Sequence, residues 1–165
     1  MDKHDFNFPH LRPDQPQNDQ PYVRLMIFFN KRADITEEQM NDWWRSVHAD
    51  LSMSVPGWSA HCSRYIQFRQ PSKLREQAKS CGMDILEYDA MGEMHVKSLD
   101  DWLEFSASPA FSKKLVEDGK NFMDGNIKVM IGHDNLVFGA TTARSSGSDG
   151  ILIDDKRLKP AESKL

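Results

Sequence analysis

Between residues 22 and 51 the apolar pattern changes period once. Tyr22-Val23-Arg24-Leu25-Met26-Ile27-Phe28-Phe29 is a dense apolar run of strand length, closed by the basic pair Lys31-Arg32. It predicts a first strand over 22–30. Met40, Trp43, Trp44, Val47 and Leu51 then recur at three- and four-residue steps, which builds one apolar stripe and predicts a helix over 37–51. Thr36 is placed to cap the free N–H groups at its start, and Gln39 three residues on completes a capping box. Glu37 and Glu38 put negative charge at the positive end of the macrodipole. Pro56-Gly57 stops the helical pattern.

Downstream, the pattern predicts a strand over 59–69, a polar stretch over 70–80 with room for a short helix, and a third strand over 85–97. A helix over 99–106 follows, with Asp100 and Asp101 in its first turn, then a short helix over 109–118 ending near Gly119. The fourth strand spans 127–138 with a bend at Gly132. Strand-helix-strand-strand-helix-strand is the ferredoxin-like order, an α+β fold with helices on one face of a four-stranded antiparallel sheet. Residues 1–20, with Pro9, Pro13 and Pro16 among Asp, Gln and Asn, read as a disordered arm. The domain proper is expected over 21–140. Residues 141–165 begin as a Thr-, Ser- and Gly-rich linker and form a flexible tail, whose Ile151-Leu152-Ile153 either docks on a neighbour's edge or stays mobile.

The strand ending in Lys31-Arg32, then Thr36-Glu37-Glu38, then Trp44-Arg45 with His48-Ala49, resembles the EthD family of the dimeric α/β-barrel superfamily. The run from Tyr88 to Asp101 is similar to that family's third strand entering its second helix. Ser108-Pro109-Ala110-Phe111 and the stretch from Asp118 to Asp124 fit the loop before its last strand. The resemblance covers roughly residues 22–139. It implies a homodimer in which two sheets join by their bare faces, with a pocket in each subunit. The sequence departs from the familiar pattern at His95, where a larger aromatic is common, and in the insertion over 70–83.

Of 165 residues, 39% are hydrophobic and 28% charged, with a net charge of -4, which argues against a nucleic-acid surface. No apolar run approaches the roughly 20 residues that span a bilayer, and the start lacks the order of a secretory signal. A cytoplasmic protein is therefore expected, with Cys62 and Cys81 as two buried thiols. There is no His-x-x-x-His or Cys-x-x-Cys spacing for a metal, no Gly-x-Gly-x-x-Gly after a strand and no Gly-x-Ser-x-Gly elbow. No metal and no cofactor are expected, with haem kept as a minor alternative because some relatives of this barrel use an axial histidine.

His48 carries the strongest claim to chemistry, since motif and acid-base range coincide there. On the third strand Asp89, Met91, Glu93 and His95 share one face, and Tyr88, Ala90, Gly92, Met94 and Val96 the other. The second set suits packing under helices. Glu93 and His95 can then form an acid-base pair on the face that lines the barrel interior in the resembled fold. On the second strand His61, Ser63, Tyr65 and Gln67 alternate against Cys62, Arg64, Ile66 and Phe68. Tyr65 and Gln67 match a Tyr-x-Gln pair often seen in the family, and a phenol can hold a developing oxyanion. His133, in the fourth strand, competes with His48 as base. Tyr22, Phe28, Trp44, Met91, Trp102 and Phe111 are candidates to line a pocket for a flat, apolar substrate. At least three of His48, Glu93, His95 and His133 are expected in one cavity.

The resemblance is nearest in character to fungal polyketide-tailoring EthD-type decarboxylases and dehydratases. It implies a cofactor-independent lyase acting on an aromatic or polyketide intermediate by decarboxylation, dehydration or aldol-type cyclisation. A cofactor-free anthrone-type monooxygenase and a non-catalytic EthD-type accessory protein are the alternatives.

Overall fold

The computed structural model describes residues 4–159. They fall into two compact units: residues 22–132, and the two chain ends together, up to residue 21 and from 133 onward.

In the first unit β1 (Val23–Phe29) leads into a long helix, α1 (residues 37–53). Its start is the capping box expected from the sequence. Gln39 N–H donates to Thr36 Oγ1 at 3.1 Å, and Thr36 N–H donates to Gln39 Oε1 at 2.8 Å. The helix is not uniform. Glu37–Trp43 and Ala49–Met53 are α-helical, and Trp44–His48 between them forms a wider π-helical turn. One helical turn, α2 (Trp58–His61), enters β2 (Cys62–Arg69) after Gly57, whose φ of 86° suits the residue without a Cβ. Then come α3 (Ser72–Ser80), β3 (Ala90–Val96) and α4 (Leu99–Ser106), capped by the Ser98 hydroxyl. The helical stretch α5 (residues 109–119) also contains a π turn, Ser112–Val116, before β4 (Lys128–Gly132).

The strands order as β2-β3-β1-β4 with every neighbouring pair antiparallel. This is the α+β ferredoxin-like arrangement that the element order predicts. The inner face of β1 and β3 packs under the helices in two apolar clusters. One gathers Leu25, Trp58, Met94, Trp102 and Phe105; the other Phe29, Met40, Trp44, Ala90 and Phe122. Glu93 and His95 lie on the opposite face, as the period-two pattern predicts.

Several boundaries differ from the sequence pattern for local reasons. Residues 58–61 coil into α2, so β2 starts at Cys62, and a register shift between Cys62 and Arg64 follows. That bulge places Cys62 in the buried cluster on the same side as Tyr65, against the strict alternation expected. β3 begins only at Ala90, because Gln70 ties the preceding segment down by donating to the carbonyls of Leu86 and Tyr88. β4 ends at Gly132, so His133 lies outside the strand. Cys62 is buried but Cys81, expected buried, is exposed at the end of α3.

Where the composition predicts a disordered arm over 1–20 and a flexible tail over 141–165, the described parts of both ends hydrogen-bond to each other. Gln20 N–H donates to the Asp134 carbonyl at 2.8 Å, and Asn18 Nδ2 donates to the carbonyls of Leu136 and Ser148. Ile151, expected to dock on a neighbour or stay mobile, bridges to Phe138 of its own chain in parallel and is buried. Hydrogen bonds from polar side chains hold these segments together, where buried apolar clusters hold the first unit.

Candidate active site

Between the two apolar clusters, on the helical side of the sheet, lies a cavity of about 870 Å³. Its floor is the inner face of β1, β2 and β3, through Ile27, Phe29, Tyr65, Gly92 and Met94. Its walls come from α1 through Trp44, His48 and Ser52, from α2 and α4 through Trp58 and Trp102, and from α5 through Phe111, Leu115 and Val116. Arg32, Asp34, Lys120 and Asp124 supply the charged part of the lining. Arg32 Nε donates to Asp34 at 2.8 Å and Lys120 Nζ to Glu117 at 2.7 Å, so these cations are engaged by neighbouring carboxylates. The remainder is predominantly apolar and aromatic, the usual character of a small-molecule site.

His48 closes the π turn of α1, one of two such turns in the walls; the other supplies Leu115 and Val116. Single π turns within α-helices occur often at functional sites. The ring of His48 is held from behind: Nδ1 lies 2.8 Å from Asp118 Oδ2. Asp118 is buried, and its Oδ1 accepts from Trp43 Nε1 at 3.0 Å and from Asn121 Nδ2 at 3.1 Å. As a carboxylate Asp118 is acceptor-only, so His48 Nδ1 carries the hydrogen and Nε2 carries the lone pair. Phe122 meets the imidazole edge-on at 5.0 Å. Burial pushes the imidazole pKa below its ordinary 6.5, with the hydrogen bond and the charge of Asp118 pulling the other way. At neutral pH the ring is therefore a neutral base.

Tyr65 stands in the floor of the same cavity. Its oxygen accepts from Gln67 Nε2 at 3.2 Å, and that amide also donates to the Trp44 carbonyl at 2.7 Å. Burial raises the phenol pKa, partly opposed by hydrogen bonds from the Gln67 and Trp44 side chains. The hydroxyl thus stays protonated and can donate.

Of the residues singled out from the sequence, the cavity gathers His48, Tyr65, Trp44, Trp102 and Phe111. Glu93 and His95 do meet, with His95 Nε2 3.1 Å from Glu93 Oε1, and Arg24 donates to Glu93 Oε2 at 3.1 Å. They lie on the other side of the sheet, where Tyr22 stacks on His95 at 4.0 Å, and Phe28 and Met91 share that face. His133 is exposed and belongs to the unit of chain ends. Where the sequence predicts at least three of His48, Glu93, His95 and His133 in one cavity, only His48 lines it. The period-two pattern sorts the faces correctly, but the cavity is on the face read as packing. Among the described residues no three His, Cys, Asp or Glu side chains gather to hold a metal ion. No helix there is long and apolar enough to cross a membrane.

Asp118, not singled out from the sequence, joins the candidate site through His48. Phe111, Leu115, Asp118 and Phe122 follow each other at steps of four, three and four, so a carboxylate interrupts an apolar helical stripe. A charge there needs a partner, and that is the signal. Replacing Asp118 by Asn keeps an oxygen acceptor and removes the charge that raises the His48 pKa. Since the folded pKa is already depressed, His48 favours the fold fully above pH 6.5, and stability is lost as pH falls through the folded value. In Asp118→Asn this window is expected to reach lower pH. Ring-proton NMR titration of His48, assigned by its disappearance in His48→Gln, checks this; an unchanged or higher pKa in the variant contradicts it.

A ferredoxin-like sheet carrying an apolar cavity with a carboxylate-held histidine defines the class: a small α+β domain with a cavity between its sheet and its helices. The EthD domain model matches residues 32–126, more than half of the chain, and the chain belongs to that family. HapK from Hahella chejuensis matches with a TM-score of 0.50 at 10% identity, over 72% of this chain and 97% of that one. A dimeric protein of unknown function with a ferredoxin-like fold from Bacteroides fragilis matches with a TM-score of 0.49 at 12% identity, over 70% and 99%. The hydroxynitrile lyase from Passiflora edulis matches with a TM-score of 0.47 at 18% identity, over 72% and 99%. No curated protein matches the chain.

Proposed function

We propose that this protein is a cofactor-independent lyase that moves a proton next to a carbonyl of an aromatic or polyketide intermediate. The observation that carries this reading is the His48–Asp118 pair in the wall of an aromatic cavity that Tyr65 also lines. His48 Nε2 takes a proton from the carbon beside the carbonyl, the electron pair moves to oxygen, and Tyr65 O–H donates a hydrogen bond to the enolate. The imidazolium, stabilised by Asp118, then returns the proton. It goes to a departing hydroxyl in a dehydration or to the new alkoxide in an aldol-type closure. In a decarboxylation His48 takes the carboxyl proton instead, the C–C bond breaks to release carbon dioxide and leave its electron pair as the enolate, and the imidazolium gives the proton to carbon. The apolar lining strengthens each of these hydrogen bonds by excluding water.

The test is deuterium uptake from heavy water into the acidic C–H position of 1,8-dihydroxyanthrone, without oxygen. Wild-type protein is expected to accelerate uptake and His48→Gln is not. Equal rates in the two would contradict the proposal, and in a parallel run under air, conversion that consumes oxygen would favour the monooxygenase alternative.

A homodimer joined through the open sheet face is part of the same reading. Phe68, Met91 and Phe28 lie side by side across that face, with Ile66, Met26 and Met130 in the row beside them. Phe68 and Met130 are each more than half exposed in the single chain, which makes them natural contact residues. Substituting both by Lys is expected to leave the fold intact and convert a dimer into a monomer in sedimentation velocity. A wild-type protein that sediments as a monomer would contradict the dimer.

A further inference from the structure

We propose that Gly92 sets the substrate class of the cavity, by leaving bare backbone on which a flat, conjugated ring system lies between Tyr65 and Trp44; the proposal rests on the cavity being the reaction chamber. A glycine in the middle of an inner strand is unfavourable, because it adds freedom to the unfolded chain and packs nothing. Three structural causes usually account for one, and none applies. The glycines with positive φ are Gly57, Gly82, Gly125 and Gly139, and Gly92 is not one of them. The register runs through it unbroken, opposite Ile27 on β1 and Gln67 on β2, so there is no bulge. No backbone crowds it either: a Cβ built there would meet the Tyr65 ring at 3.8 Å and the Trp44 ring at 4.0 Å, both ordinary contacts.

The position itself supplies the explanation. Two residues to either side on the same face, Ala90 and Met94 belong to the two separate apolar clusters. Gly92 thus occupies the gap between the clusters, and that gap is the cavity floor. The missing side chain leaves floor space for a ligand. The Tyr65 and Trp44 rings border that space, each at ordinary contact distance from where the Cβ would be, so a thin object that rests a π-face on the peptide fits where a thicker one does not. A puckered saturated ring stands off the floor and gains nothing from the absent Cβ.

Tryptophan-fluorescence titration of the full chain tests this, since Trp44, Trp58 and Trp102 line the cavity. The flat probe is 1,8-dihydroxyanthraquinone and the puckered one dicyclohexyl ketone. Wild-type protein is expected to prefer the flat probe. Gly92→Ala, whose methyl fits without a clash, is expected to weaken the flat probe about tenfold or more and to change the puckered one by less than about twofold. Its Tm should be unchanged or higher, since alanine is the better strand residue. The proposal is overturned if Gly92→Ala binds the flat probe as tightly as wild type, if both probes weaken alike, or if wild type shows no preference. Turnover of His48→Gln separates the two readings: if it keeps full turnover, the acid-base proposal falls while the Gly92 result stands.

Discussion

Substituting His48 by Gln is expected to lower turnover by about 10²–10⁴-fold, the usual contribution of a positioned general base. Gln can still donate to Asp118, so the buried carboxylate keeps its third donor and the helix keeps its packing. The loss should therefore fall on kcat, with KM and Tm changed little. In the wild type, the midpoint of the acid-side fall of kcat/KM should lie below pH 6.5, because burial depresses the imidazole pKa. A pH–rate profile of the wild type and a single-turnover measurement on the variant check both parts. A variant with near-normal turnover would remove His48 from the chemistry.

The largest effect on stability is expected at Trp44→Ala. Trp44 is 2% exposed, meets Phe29 edge-on at 5.0 Å and stacks loosely on Phe122 at 6.5 Å. Truncation removes the centre of the second apolar cluster and opens the cavity wall, a change that typically costs about 3–5 kcal/mol. The π turn that ends in His48 begins at this residue, so the position of the base should loosen as well. Denaturant unfolding measures the first effect; a destabilisation under about 1 kcal/mol would mean that the two clusters share their load differently.

Much of this architecture is legible in local chemistry. The capping box of Thr36 and Gln39, the three- and four-residue steps of Met40 and Trp44, and the two faces of β3 are each set by neighbours in sequence. What the sequence does not disclose depends on contacts made across the chain. No periodicity announces the π turns at Trp44–His48 and Ser112–Val116. The bulge between Cys62 and Arg64 swaps a face after a single residue. Glu93 and His95 attract each other as expected, but whether their side of the sheet or the other holds the cavity depends on the helices standing off at Gly92. The chain ends mislead for a related reason. Their polar composition reads as disorder, whereas Asn18 and Gln20 use those polar groups to bind backbone more than 100 residues away.

A crystal structure with 1,8-dihydroxyanthrone bound decides whether chemistry takes place on the helical side of the sheet or on its open face. The ring system is expected over Gly92, with an oxygen in hydrogen-bond reach of Tyr65 and its acidic carbon toward His48 Nε2. A ligand seated instead against Glu93 and His95 on the opposite face would refute the placement of the site on the helical side.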